Sequence, residues 1–156
     1  MARVSRRRVI AAPTAKVWAL VSDPYNLPRW WPRTARVENV ELTKAGKRSQ
    51  WTKVLQTANG RGVRADFRCT GSTEEKRYAW EQLLAETPFE KHLRSSEIEI
   101  GLEPADAGTE VRITSKQSLK GMSRLGAPMM SRGQGRIVRE ALDGMERALV
   151  AEEEGA

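Results

Sequence analysis

Apolar and polar positions alternate from Arg3 to Ala11, the pattern of a half-buried strand. Pro13 suits the first turn of a helix, where its missing N–H costs nothing. In "TAKVWALVSD", Val17, Trp18, Leu20 and Val21 fall close to one helical face. That helix should end before Pro24, because the residue preceding a proline avoids the α region. A second short helix is predicted over Tyr25 to Trp30, broken at Trp31-Pro32.

From there the period changes to two. "ARVENVEL", "SQWTKVLQT", "VRADFRCT", "RYAWEQLL", "KHLRSSEIEIGLE" and "TEVRITSKQSL" read as six more strands. Short polar connections join them, among them "KAGK" and "ANGRG", whose Asn59-Gly60 is a strong hairpin signal. Seven strands on short connections predict an antiparallel sheet. From Arg136, Ile137, Ala141, Met145 and Leu149 recur at spacing four, and Val138 and Leu142 widen the stripe into an amphipathic helix. The segment 121–135 before it is rich in Gly and Met and contains Pro128. It reads as a separate loop that could gate a cavity, or as a bent start of the terminal helix.

Alternation also sorts the faces. Trp51, Lys53, Leu55 and Thr57 share one side of their strand, as do Val63, Ala65, Phe67, Cys69 and Gly71 of the next. Tyr78, Trp80, Gln82 and Leu84 follow, then His92, Arg94, Ser96, Ile98, Ile100 and Leu102, and finally Val111, Ile113, Ser115, Gln117 and Leu119. The opposite faces carry Arg64, Asp66, Arg68, Glu97, Glu99, Glu110, Arg112 and Lys116, mixed signs that suit cross-strand pairs on a solvated surface. The inward set is apolar except for Lys53, Gln82, His92, Arg94, Ser96, Ser115 and Gln117. Lys53, His92 and Gln117 lie nearer strand ends, where a solvated rim is the plain alternative. A single β-bulge would invert part of this list.

The order of strand, two short helices, six strands and a long helix resembles the START-like helix-grip superfamily, in particular its polyketide cyclase/dehydrase and lipid-transport group. The likeness is carried by "VIAAPTAKVWALVSDPYNLPRWWP", by the "AGTEVRIT" hairpin and by the final amphipathic helix, and spans essentially the whole chain. It implies an α+β fold: a seven-stranded curved antiparallel sheet wrapped around the C-terminal helix, with an internal cavity between them. Residues 1–156 would then form one START-like ligand-binding domain. The adjacent Trp30 and Trp31 are expected to plug one end of the sheet, one in the core and the other nearer the cavity mouth.

Composition narrows the partners. The chain has 156 residues, a net charge of +7 and a pI near 10.0, a balance that raises nucleic acid, anionic membrane and acidic ligands as partners. Its only dense basic run is Arg6-Arg7-Arg8, and elsewhere basic residues interleave with acidic ones, which argues against a nucleic-acid stripe. "SRRRVI" looks like a twin-arginine signal, but Pro13 and Lys16 interrupt the apolar run of about 7–15 residues that export needs. No stretch approaches the roughly 20 apolar residues of a bilayer span, although peripheral membrane contact stays open. A single cysteine, Cys69, excludes an internal disulfide and fits a cytoplasmic location. One His and one Cys leave too few soft ligands for a metal site, and the glycines match no phosphate or dinucleotide loop, so no cofactor is expected.

The leading reading is therefore binding of a hydrophobic or amphipathic small molecule, lipid or polyketide-like, in an internal cavity. Its expected contacts are Trp31, Trp51, Leu55, Phe67, Trp80, Gln82, Arg94, Ser96, Ser115 and Met129. A cyclase or dehydratase using the same cavity is the alternative; the resemblance implies that polar groups would assist enolisation, with Arg94, His92 and Ser96 as candidates. A basic interaction module for RNA, protein or anionic lipid is a third, resting on Arg3 to Arg8. Neither ligand identity nor oligomeric state is legible in the sequence.

Overall fold

The computed structural model describes residues 2–41, 49–56 and 62–154. Strands β1 (Ala2–Ile10), β2 (Thr34–Glu41), β3 (Gln50–Gln56), β4 (Gly62–Thr73), β5 (Arg77–Leu83), β6 (Leu93–Ala105) and β7 (Gly108–Leu119) make one sheet among the described residues. All neighbours are antiparallel, in the order β1-β7-β6-β5-β4-β3-β2. The meander therefore runs in sequence order from β2 to β7, and β1 returns to the far edge beside β7. Two predicted turns, "KAGK" and Asn59-Gly60, lie outside the described residues.

Local chemistry sets the helices between β1 and β2. Pro13, extended at ψ 148°, precedes α1 (Thr14–Val21), which buries Val17, Leu20 and Val21. The Asp23 carboxylate accepts the Tyr25 N–H at 3.0 Å and caps a short 3₁₀ turn, Pro24–Asn26. That turn runs directly into α2 (Leu27–Trp30). Trp31 is extended, as a residue before proline must be, and ends the helix.

The long helix α3 (Ala127–Glu154) covers the inner face of the sheet and buries Val138, Ala141, Leu142, Met145 and Leu149. It begins nine residues before the Arg136 start expected from periodicity, because Pro128 occupies its first turn, where no N–H is needed. The Gly/Met-rich segment is thus a 3₁₀ turn (Gly121–Gly126) continued by the first turns of α3, not a separate loop. Gly144 lets the helix pass α2 closely: a Cβ there would stand 2.2 Å from the Trp30 carbonyl oxygen. Arg8 of β1 also reaches the helix, at Asp143 (2.5 Å) and Glu146 (3.7 Å).

Pairs of opposite charge cross the outer surface, as the alternation predicts. Arg68 meets Glu81, Arg77 meets Glu99 at 3.0 Å, and Arg64 meets Glu38 at 3.1 Å. The triple arginine does not form one patch. Arg7 pairs with Glu110 at 3.7 Å, while Arg8 faces α3. Among the described residues no helix is long and apolar enough to cross a membrane.

Candidate functional site: a cavity under the start of α3

Six aromatic side chains build the wall from which the site is organised. Trp80, from the middle of β5, is the hub, with ring centroids of Trp31, Trp51, Tyr78 and Trp30 at 5.4, 6.0, 6.1 and 6.4 Å. All four contacts are edge-to-face, the arrangement that the aromatic quadrupole favours. Phe67 stacks on Trp51 at 6.1 Å. Trp30 and Trp31 are both buried, but they divide the work: Trp30 packs into the core and Trp31 faces the cavity. The tandem tryptophans are a plug, as the sequence reading expects.

Beside this wall the sheet and α3 leave a cavity of about 860 Å³ that opens to solvent. Its apolar lining comes from Trp31, Leu55, Val63, Ala65, Phe67, Trp80, Phe89, Ile98 and Ile137. Its polar lining is Arg33, Lys53, Gln56, Gln82, Ser96, Gln117 and Gln134. Cross-strand register groups several of these: Phe67 is paired with Gln82, and Ser96 with Gln117. Gln117 donates from Nε2 to Ser96 Oγ at 3.1 Å, while its Oε1 is buried without a donor. Ser115 Oγ donates to Gln134 Oε1 at 2.9 Å and so fastens β7 to α3 at the cavity's edge.

Lys53 is the unusual group. Only 5% of it is exposed, and its Nζ sits 4.7 Å from the Phe67 ring centroid and 5.0 Å from that of Trp31. Both rings are within cation–π range. Burial pushes its ammonium down to about 7, far below an ordinary lysine. No carboxylate lies within ion-pair distance of it among the described residues. Elsewhere in the interior, burial first and the adjacent Cys69 second hold the Tyr78 phenol well above its usual range. No cluster of three or more His, Cys, Asp or Glu able to hold a metal occurs among the described residues.

Of the ten expected contacts, Trp31, Leu55, Phe67, Trp80, Gln82 and Ser96 line the cavity together. Trp51 is inside but lies behind the Phe67 ring, and Ser115 is buried one hydrogen bond away, through Gln134. Arg94 is not in the lining; it is exposed, as is His92. A register break between Leu93 and Ser95 turns Leu93 inward in their place. Met129 is 80% exposed on the first turn of α3 and is not in the lining. The rim alternative holds for His92, but not for Lys53 or for Gln117, which is 8% exposed. Arg33, Gln134 and Phe89 come from segments that strand alternation does not reach. For Lys53 the signal was present: a cation in the middle of the otherwise apolar series Trp51, Lys53, Leu55.

Comparisons with known proteins agree with this architecture. A START superfamily protein from Mycobacterium smegmatis superposes with a TM-score of 0.77 at 16% identity, covering 96% of this chain and 97% of that one. A protein of Thermus thermophilus gives 0.74 at 22% identity, over 96% and 98% of the two chains. The di-domain ARO/CYC protein of the steffimycin biosynthetic pathway gives 0.77 at 12% identity, covering 99% of this chain and 52% of that one. At such identities the likeness is one of fold. No curated protein matches the sequence. The family model described as polyketide cyclase / dehydrase and lipid transport matches residues 1–150, and the chain, with its sheet closed around α3, belongs to that family.

Proposed function

We propose that residues 1–156 act as one ligand-binding unit that holds a hydrophobic or amphipathic small molecule, lipid or polyketide-like, in the cavity under α3. The family is associated with a generic role of this kind. The observation that carries the reading is the hollow itself. Its volume of about 860 Å³ falls in the range of about 300–1,000 Å³ typical of ligand pockets. Its wall is mostly aromatic and aliphatic, with a few polar groups placed among them. The driving force would be burial of apolar surface, about 25 cal/mol for each Å² removed from water. The test is saturable binding of an uncharged fluorescent probe, N-phenyl-1-naphthylamine, to the full chain. One site per chain is expected in the wild type, and Ala65→Trp, which fills the cavity, should abolish it. Saturable binding that survives Ala65→Trp would place the ligand elsewhere, and no binding at all would end the reading.

One observation favours a second reading, an enzyme of cyclase or dehydratase type in the same cavity. A lysine held near neutrality by burial can exchange a proton at physiological pH, which is what enolisation beside a carbonyl requires. Arg94 and His92 stand outside the cavity, so Lys53 and Ser96 are the groups left to serve it. Turnover of a linear polyketide surrogate that is lost in Lys53→Met would support this reading; unchanged turnover would remove it.

A further inference from the structure

The cavity's charge is one-sided. Its ionisable lining consists of Lys53 and Arg33, with no Asp, Glu or His among the described residues that form it. The remaining polar groups are amides and a hydroxyl, which carry no net charge. From the geometry we infer that the occupant is an amphipathic organic acid, whose anionic group is held by Lys53 while its apolar body lies against the aromatic wall. This rests on the ligand-binding reading above and narrows it to a chemical class.

Three features support the inference. A buried ammonium needs a counter-charge, and ring faces compensate it only in part. Trp31 and Phe67 contact Nζ from the end of α2 and from β4, yet neither can neutralise it. Glu140 and Asp143 line an adjoining polar cleft that shares Trp31, Pro32, Arg33 and Gln56 with the cavity, but neither borders the cavity itself, and Asp143 is already engaged by Arg8. Second, Arg33 is held at the mouth in the left-handed region, φ 57°, a conformation that disfavours an ordinary side chain. Its carbonyl accepts the Gln56 N–H at 2.9 Å, which fixes the backbone where it borders the cavity. Third, Arg33 makes no ion pair among the described residues, so the path inward runs from a free cation to a buried one. An anion would be drawn in and then desolvated at Lys53, where Coulomb attraction is least screened.

The experiment displaces the same uncharged probe from the full chain at pH 6.5 with matched pairs, 2-naphthoate against 2-naphthylmethanol and decanoate against decanol. The wild type should favour each acid over its alcohol by at least about tenfold. Lys53→Met should lose that preference while keeping the alcohol's affinity, and Arg33→Gln should weaken the acids by a smaller factor. Equal affinity for acid and alcohol in the wild type, or an acid preference that persists in Lys53→Met, overturns the inference and leaves the ligand-binding reading standing. Failure of the probe and of both pairs to bind overturns the two together. A readout that needs no variant is the side-chain NMR titration of Lys53: the acid should raise its pKa and the alcohol should not. An unmoved titration on acid binding also overturns the inference.

Discussion

The inner face of the sheet has two halves built by the same alternation, and only one of them is solid. Toward α1, Tyr78, Ile100 and Ile113 meet Val17, Val21, Leu142 and Met145, all essentially removed from solvent. Toward the start of α3, the same strands offer Gln82, Ser96, Ile98 and Gln117, and the helix offers only Gln134 and Ile137. Trp80 marks the border. The contrast teaches that one half supplies the stability that lets the other stay hollow. A cavity forfeits dispersion contacts that a packed interior would make, so it persists where neighbouring packing can bear the loss.

The sharpest way to break the comparison uses two residues of one helix. Met145→Ala, in the solid half, should cost about 2–5 kcal/mol in urea unfolding, whereas Ile137→Ala over the cavity should cost under about 1.5 kcal/mol. Equal losses would mean that the two halves are packed alike. Next comes Lys53→Met, which should stabilise the ligand-free protein by about 4–5 kcal/mol below pH 7. The sign follows from proton counting. With a folded pKa of about 7 and an unfolded value of about 10.4, the unfolded chain holds more protons between them. Wild-type stability therefore rises with pH across that window, and the advantage of Lys53→Met shrinks over it. A difference between the two chains that stays flat from pH 6 to pH 10 would show that the ammonium carries no burial cost.

Enlargement probes the same boundary from the opposite direction. Ala141→Leu, where the helix meets packed side chains, should cost about 1–3 kcal/mol, while Ala65→Leu should stay within about 1 kcal/mol of wild type because its added atoms enter open space. Thermal melts of the pair decide it, and a larger loss for Ala65→Leu would contradict the cavity. The smallest effect is expected outside. A double-mutant cycle on Arg77 and Glu99, an exposed cross-strand pair, should give about 0.2–1 kcal/mol and fade in high salt. Arg77 holds the Glu99 carboxyl below the usual carboxylate range, so this small contribution is present at neutral pH and disappears as acid protonates Glu99.

Much of this division was legible from period alone. Alternation put Gln82, Ser96 and Gln117 on the inner face because nothing interrupts β5, β7 or the middle of β6. It failed at Arg94 because the register break beside Leu93 is a property of strand pairing, and no residue there announces it. Met129 was misplaced for a different reason. Gly133 and Gly135 lower helix propensity and suggested a loop, yet Pro128 was a readable first-turn signal and the packing of α3 on β1 decides the matter. Lys53 could be assigned a face but not an environment. Its two rings arrive from α2 and β4, and only tertiary docking brings Trp31 over a residue of β3.

The seam between the first strand and the last has a kinetic meaning. Ala2 lies opposite Gln117 and Ile10 opposite Thr109, so β1 waits for a mate that is made about a hundred residues later. The meander can zip by short steps between adjacent hairpins, but this closure must bring distant parts together, the kind of contact that slows folding. During synthesis, β1 would be an unpaired ribbon of arginines while the rest assembles. Its positive charge discourages such ribbons from pairing with one another, which shields the chain from aggregation until β7 emerges.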